Sequence, residues 1–399
     1  MEYSTRTGVS CSTWTSILRV TSASENWGRA LSSLAPPVSN VQAVACTAPL
    51  LYACSVKARP VSNPPNPWRS TEVEWLGERP AAPLRLHVEQ ARSIVSENQS
   101  PDLGFRFSLN PYRGCAHACA YCYARPSHQY LGFGAGSDFD REIVVKLNAA
   151  ALLEQAFQKP SWEGELLVFS GNTDCYQPVE ASYGLTRACL EVCVAFRQPV
   201  HVITKSALVR RDVDLLARLA NEARASVTIS IPFAEPQMAR AIEPYAPAPE
   251  ARFETVRRLA AQGIRVSVNI APVIPGLNDA QVSEIVERAA AAGASSLAMI
   301  PLRLPAEVLP VFFERLGEAY PARVQKVESA LVQIRRGRLN DPRFGSRMAG
   351  SGPRWEAIVA MFAAQCRRLG LDRDGMDGVP SEEPPRTFRR PSRQGSLFE

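Results

Sequence analysis

The chain has 399 residues, 45 Lys and Arg against 39 Asp and Glu, a formal net charge of +6 and 46% hydrophobic residues. This is a globular composition, which excludes a fibrous or wholly disordered chain, and the mild positive charge favours polyanions only weakly. The most apolar early stretch, 41–56, is too short and interrupted to cross a membrane, so no span is expected. Ten cysteines in a small secreted chain would read as disulfides, but spread through a chain this long they suit a reducing cytoplasm.

Residues 1–65 differ in composition from the rest of the chain. They are rich in Ser, Thr, Ala and Pro, and Glu2 and Glu25 are their only acids before Arg59. An organelle transit peptide, an over-long start and a disordered extension all fit, and Cys11, Cys46 and Cys54 are given no role. A lead-in segment is expected over 66–100.

From there, six β-branched-rich runs alternate with helical patterns. The strands are expected at Phe105–Leu109, Leu166–Ser170, Val200–Thr204, Val227–Ile231, Val266–Ile270 and Leu297–Pro301. The helices are expected near Phe139–Phe157, Glu180–Phe196, Leu208–Glu222, Pro249–Gln262, Asp279–Ala292 and Pro305–Ala319. Strands nearly apolar on both faces, alternating with helices, imply a parallel sheet with right-handed crossovers. The fold class is therefore α/β, a partial (β/α)6 TIM-type barrel over 101–320, whose site would lie at the C-terminal strand ends. A helical, Arg-rich closing segment is expected over 321–375 and a disordered tail over 376–399.

Directly after the first strand stands Cys115-Ala-His-Ala-Cys119-Ala-Tyr-Cys122. Iron–sulfur cubanes usually take four thiolates. Three cysteines with no fourth nearby can hold such a cluster and leave one iron open, and open positions are where metal chemistry occurs. The alternative is a zinc site completed by His117 or His128, with Cys189 and Cys193 as a second pair. Those two fall instead with Leu185, Val192 and Phe196 on one apolar helix face, where free cysteine packs as a small hydrophobe.

The C-x3-C-x2-C run with Tyr121 before its last cysteine resembles the radical SAM superfamily. Ser108-Leu-Asn-Pro-Tyr-Arg-Gly-Cys115 and Cys122-Tyr-Ala-Arg-Pro126 narrow the resemblance to the spore photoproduct lyase-related branch. So do Gly171-Asn-Thr-Asp-Cys-Tyr-Gln-Pro-Val-Glu180, Thr204-Lys-Ser206, Ala271-Pro-Val-Ile-Pro-Gly-Leu-Asn278 and Asn340-Asp-Pro-Arg-Phe-Gly-Ser-Arg-Met348. The similarity spans about residues 85–372 and is closest to bacterial members of unknown substrate.

What the resemblance implies is a [4Fe–4S] cluster on Cys115, Cys119 and Cys122, with S-adenosylmethionine on its open iron. Reductive cleavage would give a 5′-deoxyadenosyl radical that abstracts hydrogen from a substrate. Asn172, Thr173 and Asp174 are expected at the cofactor's methionine or ribose, or else as an Asx turn capping a helix. Lys205, at a strand end among apolar residues, would meet the cofactor carboxylate, since lysine is rarely buried unpaired. Ser230 and Asn269 would reach ribose or adenine, or else hydrogen-bond solvent or backbone, and Tyr121 would pack on the cluster or adenine edge, with a plain core tyrosine as the alternative. A flavodoxin- or ferredoxin-type electron donor is implied.

One departure touches the second half of the reaction. The lyases return hydrogen from a cysteine in the turn after strand two, where this chain has Gly171. Cys175, four residues on, is the weak candidate donor; a packed thiol is the alternative.

Two features hint at DNA. Arginines 335, 336, 338, 343 and 347 interleave with Phe344 ahead of Trp355, either to meet phosphate and bases or to close the barrel mouth through local ion pairs. The tail carries Gln394-Gly-Ser396-Leu397-Phe398, which resembles the short peptide that docks bacterial repair proteins on the sliding clamp. Damaged DNA is the leading substrate expectation. Radical modification of RNA or protein is the alternative, and a zinc-stabilised nucleic-acid-binding protein the rival from another class.

Overall fold

The computed structural model describes residues 63–64, 83–373 and 387–391. All but two residues of the compositionally distinct 1–65 stretch, and the clamp-like Gln394, Ser396, Leu397 and Phe398, lie outside the described residues.

The six expected barrel strands are all present. In chain order, β1 (Arg85–Glu89) and β2 (Val95–Glu97) precede the first of them, β3 (Phe107–Leu109); β4 (Tyr112–Arg113) and β5 (Glu142–Lys146) come after it. Then come β6 (Leu167–Phe169), β7 (Val200–Thr204), β8 (Ala225–Ser230), β9 (Arg265–Val273), β10 (Ser296–Pro301) and β11 (Asp372–Arg373). The main sheet has the order β11-β10-β9-β8-β7-β6-β3-β2, parallel throughout except for the β2–β3 pair. Helices return the chain between parallel neighbours, as such connections require. Among them are Leu185–Phe196, Val213–Glu222, Pro249–Ala260 and Val282–Ala291.

The expectation that both strand faces are apolar needs correction. One face carries Val200, Val202, Val227, Ile229, Val266 and Val268, all buried in the main core. The alternate positions hold His201, Ser226, Thr228, Ser267, Asn269 and Ser296, equally buried but polar. Five of them satisfy one another: His201 Nδ1 meets Ser226 Oγ at 2.7 Å, Thr228 Oγ1 meets His201 Nε2 at 3.1 Å, and Ser267 and Ser296 share a 2.6 Å bond. Higher on this face, Ile203, Ser230, Asn269 and Ile300 line a cavity shared with residues that come after β3. The polar face is thus concave, and the sheet curves enough to bring its first and last barrel strands to one site.

The helix expected near Phe139–Phe157 is in fact helix Ser137–Arg141, strand β5 and helix Ala149–Gln158. The Ile143-Val144-Val145 run that broke it is β-branched and pairs with β1 and β4 in a separate three-stranded sheet. The expected helix Glu180–Phe196 is divided at Gly184, whose φ of 63° lies in the left-handed region.

Within the tail expected to be disordered, Thr387–Pro391 is docked. Phe388 stacks on Phe196 at 6.0 Å and meets Phe157 edge-on at 5.7 Å. The Arg389 backbone donates to Phe196 O, and Arg390 donates to the carbonyls of Phe157, Lys159 and Trp162. Composition points to disorder here because one aromatic among Pro and Arg carries little weight in an average, yet it supplies a complete anchor.

Candidate active site

The cysteine loop is shaped before any metal is considered. Gly114 has φ +75°, and a side chain there would press on Phe139 O at 2.9 Å, so glycine is required. Gln177, fully buried, clamps the loop from both sides: it accepts from Ala116 N at 2.9 Å and donates to Gly114 O at 3.0 Å. Arg125, also fully buried, donates to Cys119 O at 2.8 Å, to the carbonyls of Ala135 and Gly136, and to Asp140 at 2.9 Å. Neither role is legible in the sequence, because a buried polar clamp leaves no periodicity.

Cys115, Cys119 and Cys122 line one cavity of about 360 Å3, together with His117, Tyr121, Tyr123, Asn172, Thr173, Asp174, Lys205, Ser230 and Asn269. Burial pushes all three thiols up; Asp174 and then the other two thiols add to it at Cys115, and Glu243 and then Cys122 at Cys119. Three buried thiolates are unfavourable without a cation, and coordinated metal is what reverses that balance. Among the described residues no three His, Cys, Asp or Glu side chains close round a single ion. The ligands of a multi-iron cluster spread more widely than those of one zinc ion. His128, one of the two histidines considered for zinc, faces away from the cavity and bonds Glu142 O at 2.8 Å.

The turn after β6 is built by side chains. Asn110 Oδ1 accepts the backbone N–H groups of Asn172 and Thr173 at 3.0 and 3.1 Å. Asp174 takes Tyr176 N and Thr204 Oγ1 on one oxygen and Lys205 N on the other, so it is both an Asx turn and a tie between strand ends. Burial opposes its charge, but His117, the Lys205 amide and the Thr204 hydroxyl outweigh that and hold its pKa at about 2. His117 Nδ1 stands 3.4 Å from Asp174. That is ion-pair range with no aligned hydrogen bond, and His117 Nδ1 has no other partner.

Lys205 Nζ lies 5.6 Å from the centre of the Tyr121 ring and 3.9 Å from Glu243 Oε1. Glu243 is buried, receives the Tyr121 hydroxyl, and is paired with buried Arg252, which also donates to Ser230 O at 3.1 Å. Sequence reasoning finds Tyr121 and Lys205 but misses Glu243, an acid among mostly apolar residues, and Arg252, which reads as one more charge on a charged helix. Asn269 Oδ1 is buried with no hydrogen-bond partner and borders the cavity. An orphan buried acceptor is costly, and a bound group with a donor would satisfy it. The residues present therefore fit a thiolate-held cluster and a polar cofactor beside it.

Cys175 does not line the cavity; it is fully buried in the core, with burial pushing its thiol up. A Cβ at Gly171 would stand 2.7 Å from Ser108 Cβ, so a cysteine fits there only if β3 shifts. The arginine-rich loop mostly closes the mouth. Arg335 is buried and donates to the carbonyls of Pro301, Leu302, Arg347 and Ala349; Arg343 pairs with Asp341, and Trp355 is buried. Arg336, Arg338 and Phe344 are exposed. Among the described residues no helix is long and apolar enough to cross a membrane.

The model for the radical SAM superfamily matches residues 109–289. An uncharacterized protein of Mycobacterium tuberculosis is 38% identical over 226 residues, 56% of this chain and 66% of that protein. An uncharacterized protein of Methanocaldococcus jannaschii is 32% identical over 192 residues, 48% of this chain and 69% of that protein. A structure of spore photoproduct lyase with bound AdoMet and dinucleoside spore photoproduct superposes with TM-score 0.52 at 16% identity, covering 72% of this chain and 81% of the lyase. That last likeness is one of fold. The family uses a [4Fe–4S] cluster and S-adenosylmethionine, and the chain belongs to the radical SAM superfamily.

Proposed function

We propose that this protein is a radical SAM enzyme in which Cys115, Cys119 and Cys122 hold the cluster and Tyr121, Asn172, Thr173, Asp174, Lys205, Ser230 and Asn269 surround S-adenosylmethionine. The observation that carries the proposal is that all ten residues line one cavity at the C-terminal ends of the barrel strands. When bound, the two cofactors supply reductive cleavage of S-adenosylmethionine to a 5′-deoxyadenosyl radical able to abstract hydrogen. The protein's part is to hold and orient. Lys205 offers a cation to the cofactor carboxylate, Asn269 an unused acceptor to a ribose or adenine donor, and the Asn110-braced turn fixes Asn172 and Thr173. Tyr121, fastened to Glu243, keeps an apolar ring against the Lys205 side of the cavity.

Damaged DNA is the proposed substrate and a flavodoxin- or ferredoxin-type protein the proposed electron donor, in a cytoplasmic setting. The lyase's own hydrogen return is not carried over to Gly171 or Cys175, so the outcome after abstraction is proposed to differ. Anaerobic reconstitution followed by reduction tests the core of the reading. A brown protein that releases 5′-deoxyadenosine, with deuterium gained from a labelled lesion-bearing oligonucleotide, is expected. A colourless zinc protein overturns the enzyme reading, and 5′-deoxyadenosine that gains no label from DNA overturns the substrate.

A further inference from the structure

Cations that line a cavity are normally matched by carboxylates, and one here is not. Arg303 comes just after β10, the last barrel strand, and Tyr123 just after the cysteine loop that leaves β3, the first; the two line the same cavity. The Arg303 guanidinium lies 5.9 Å from the centre of the Tyr123 ring. Among the described residues it makes no salt bridge, and its one side-chain hydrogen bond is to Met348 Sδ at 3.0 Å, a weak acceptor. The carboxylate that acts on its charge is Asp102, already taken by the Arg347 side chain and by Gly345 N at 2.6 Å. Arg347, also lining the cavity, adds a second positive charge nearby. Most of the five N–H donors of Arg303 are therefore left without a strong acceptor, in a site that partly desolvates them.

The polar groups offered to the cofactor come from the turns after β6 and β7 and, through Ser230 and Asn269, from β8 and β9 themselves. Arg303 and Tyr123 stand where the two ends of the curved sheet approach each other, with the Tyr123 hydroxyl donating to Gly171 O at 3.0 Å. A planar guanidinium with free donors pairs bidentately with phosphate oxygens, and a half-exposed tyrosine ring beside it offers a face to a nucleobase.

Resting on the functional reading above, we infer that Arg303 is the substrate-recognition residue of this site and that it binds a phosphate group of the substrate next to Tyr123. Phosphate can be presented as a diester within a nucleic-acid strand or as a nucleotide monoester, and the test separates the two.

The test is calorimetric titration of the anaerobic, S-adenosylmethionine-loaded holoenzyme and its R303Q and R303K variants. The probes are the thymidine dinucleotide with its phosphodiester, the same dinucleotide with an uncharged methylphosphonate, and thymidine 5′-monophosphate. Wild type should prefer the charged dinucleotide over the methylphosphonate. R303Q should lose about tenfold or more of that affinity, as removal of a charge-assisted bond does, and R303K should recover part of it. Iron content and S-adenosylmethionine affinity of R303Q should match wild type. Tighter binding of the monoester than of the diester would assign a nucleotide substrate to the same residue. Equal affinity of wild type and R303Q for every charged probe, or a fall in cofactor affinity equal to the fall in probe affinity, would overturn the assignment. A wild-type protein that binds no S-adenosylmethionine would defeat the functional reading instead, and the unloaded protein's response to the charged and uncharged dinucleotides would still decide Arg303.

Discussion

The hydroxyl of Tyr121 donates to the carboxylate of Glu243, 122 residues further along the chain, and the same carboxylate holds Arg252. The residue just before the third cysteine is thereby tied to the segment beyond β8. Replacing Glu243 by Gln should leave Arg252 buried without its counter-charge, at a cost of about 3–5 kcal/mol. A thermal or denaturant melt of E243Q that matches wild type would show the pair to be dispensable.

Substituting Ala for any one of Cys115, Cys119 or Cys122 should abolish the cluster, with loss of visible absorbance and of S-adenosylmethionine cleavage. Cys189 and Cys193 are fully buried on the apolar face of helix Leu185–Phe196, so their replacement should leave iron near wild type. Equal iron loss in both groups, measured after identical reconstitution, would refute the three-cysteine assignment.

Lys205→Ala should keep the cluster and weaken cofactor binding, since a charge-assisted hydrogen bond is worth about 1.5–3 kcal/mol. Glu243 stands 3.9 Å from Lys205 Nζ, too far for a good hydrogen bond, which leaves the ammonium free to take a carboxylate. Unchanged cofactor affinity with the cluster intact would remove Lys205 from that role.

His201 is buried and neutral; burial first, and the Arg224 charge second, bring its pKa down to about 3. The unfolded chain takes up this proton from its ordinary pKa of about 6.5 downward while the folded chain does not. The contribution is therefore fully present above pH 6.5 and lost as pH falls from there to about 3, at about 1.4 kcal/mol per pH unit. Melting temperature followed across this window should fall more steeply for wild type than for H201N. Parallel curves would mean that His201 takes up its proton in the folded protein.

Phe388→Ala should release the docked segment without unfolding the barrel, because its ring contacts are with the C-terminal ends of helices Ala149–Gln158 and Leu185–Phe196 and not with the strands. The Arg389 amide, bonded to Phe196 O at 2.9 Å, should exchange slowly in wild type and near the rate of an unfolded peptide in F388A. Fast exchange in wild type would show that the anchor does not hold in solution.

The alternation of strands and helices was legible because it repeats: each of the six runs gives a strand, and Gly263 and Gly293 close helices as expected. The polarity of the inner strand face was harder to see. Ser226, Thr228 and Ser267 satisfy their own hydrogen bonds only once the sheet curves, and a single strand cannot show that. Tyr121 and Lys205 were found from their place beside the cysteines and at a strand end. Asn110, Gln177, Glu243 and Arg303 were missed, since each acts on a partner far away in sequence, and Arg252 because its partner Glu243 was missed. Ile143-Val144-Val145 misled for the opposite reason, because it pairs with β1, which hydrophobic periodicity did not reveal.

The anchor at Phe388 also fixes where the rest of the tail departs. It grips Phe157, Trp162 and Phe196, at the end of the barrel where β6 and β7 begin, whereas the cavity lies where those strands finish. A partner that engages Thr387–Pro391 would therefore approach the floor of the barrel, on the side away from the cavity.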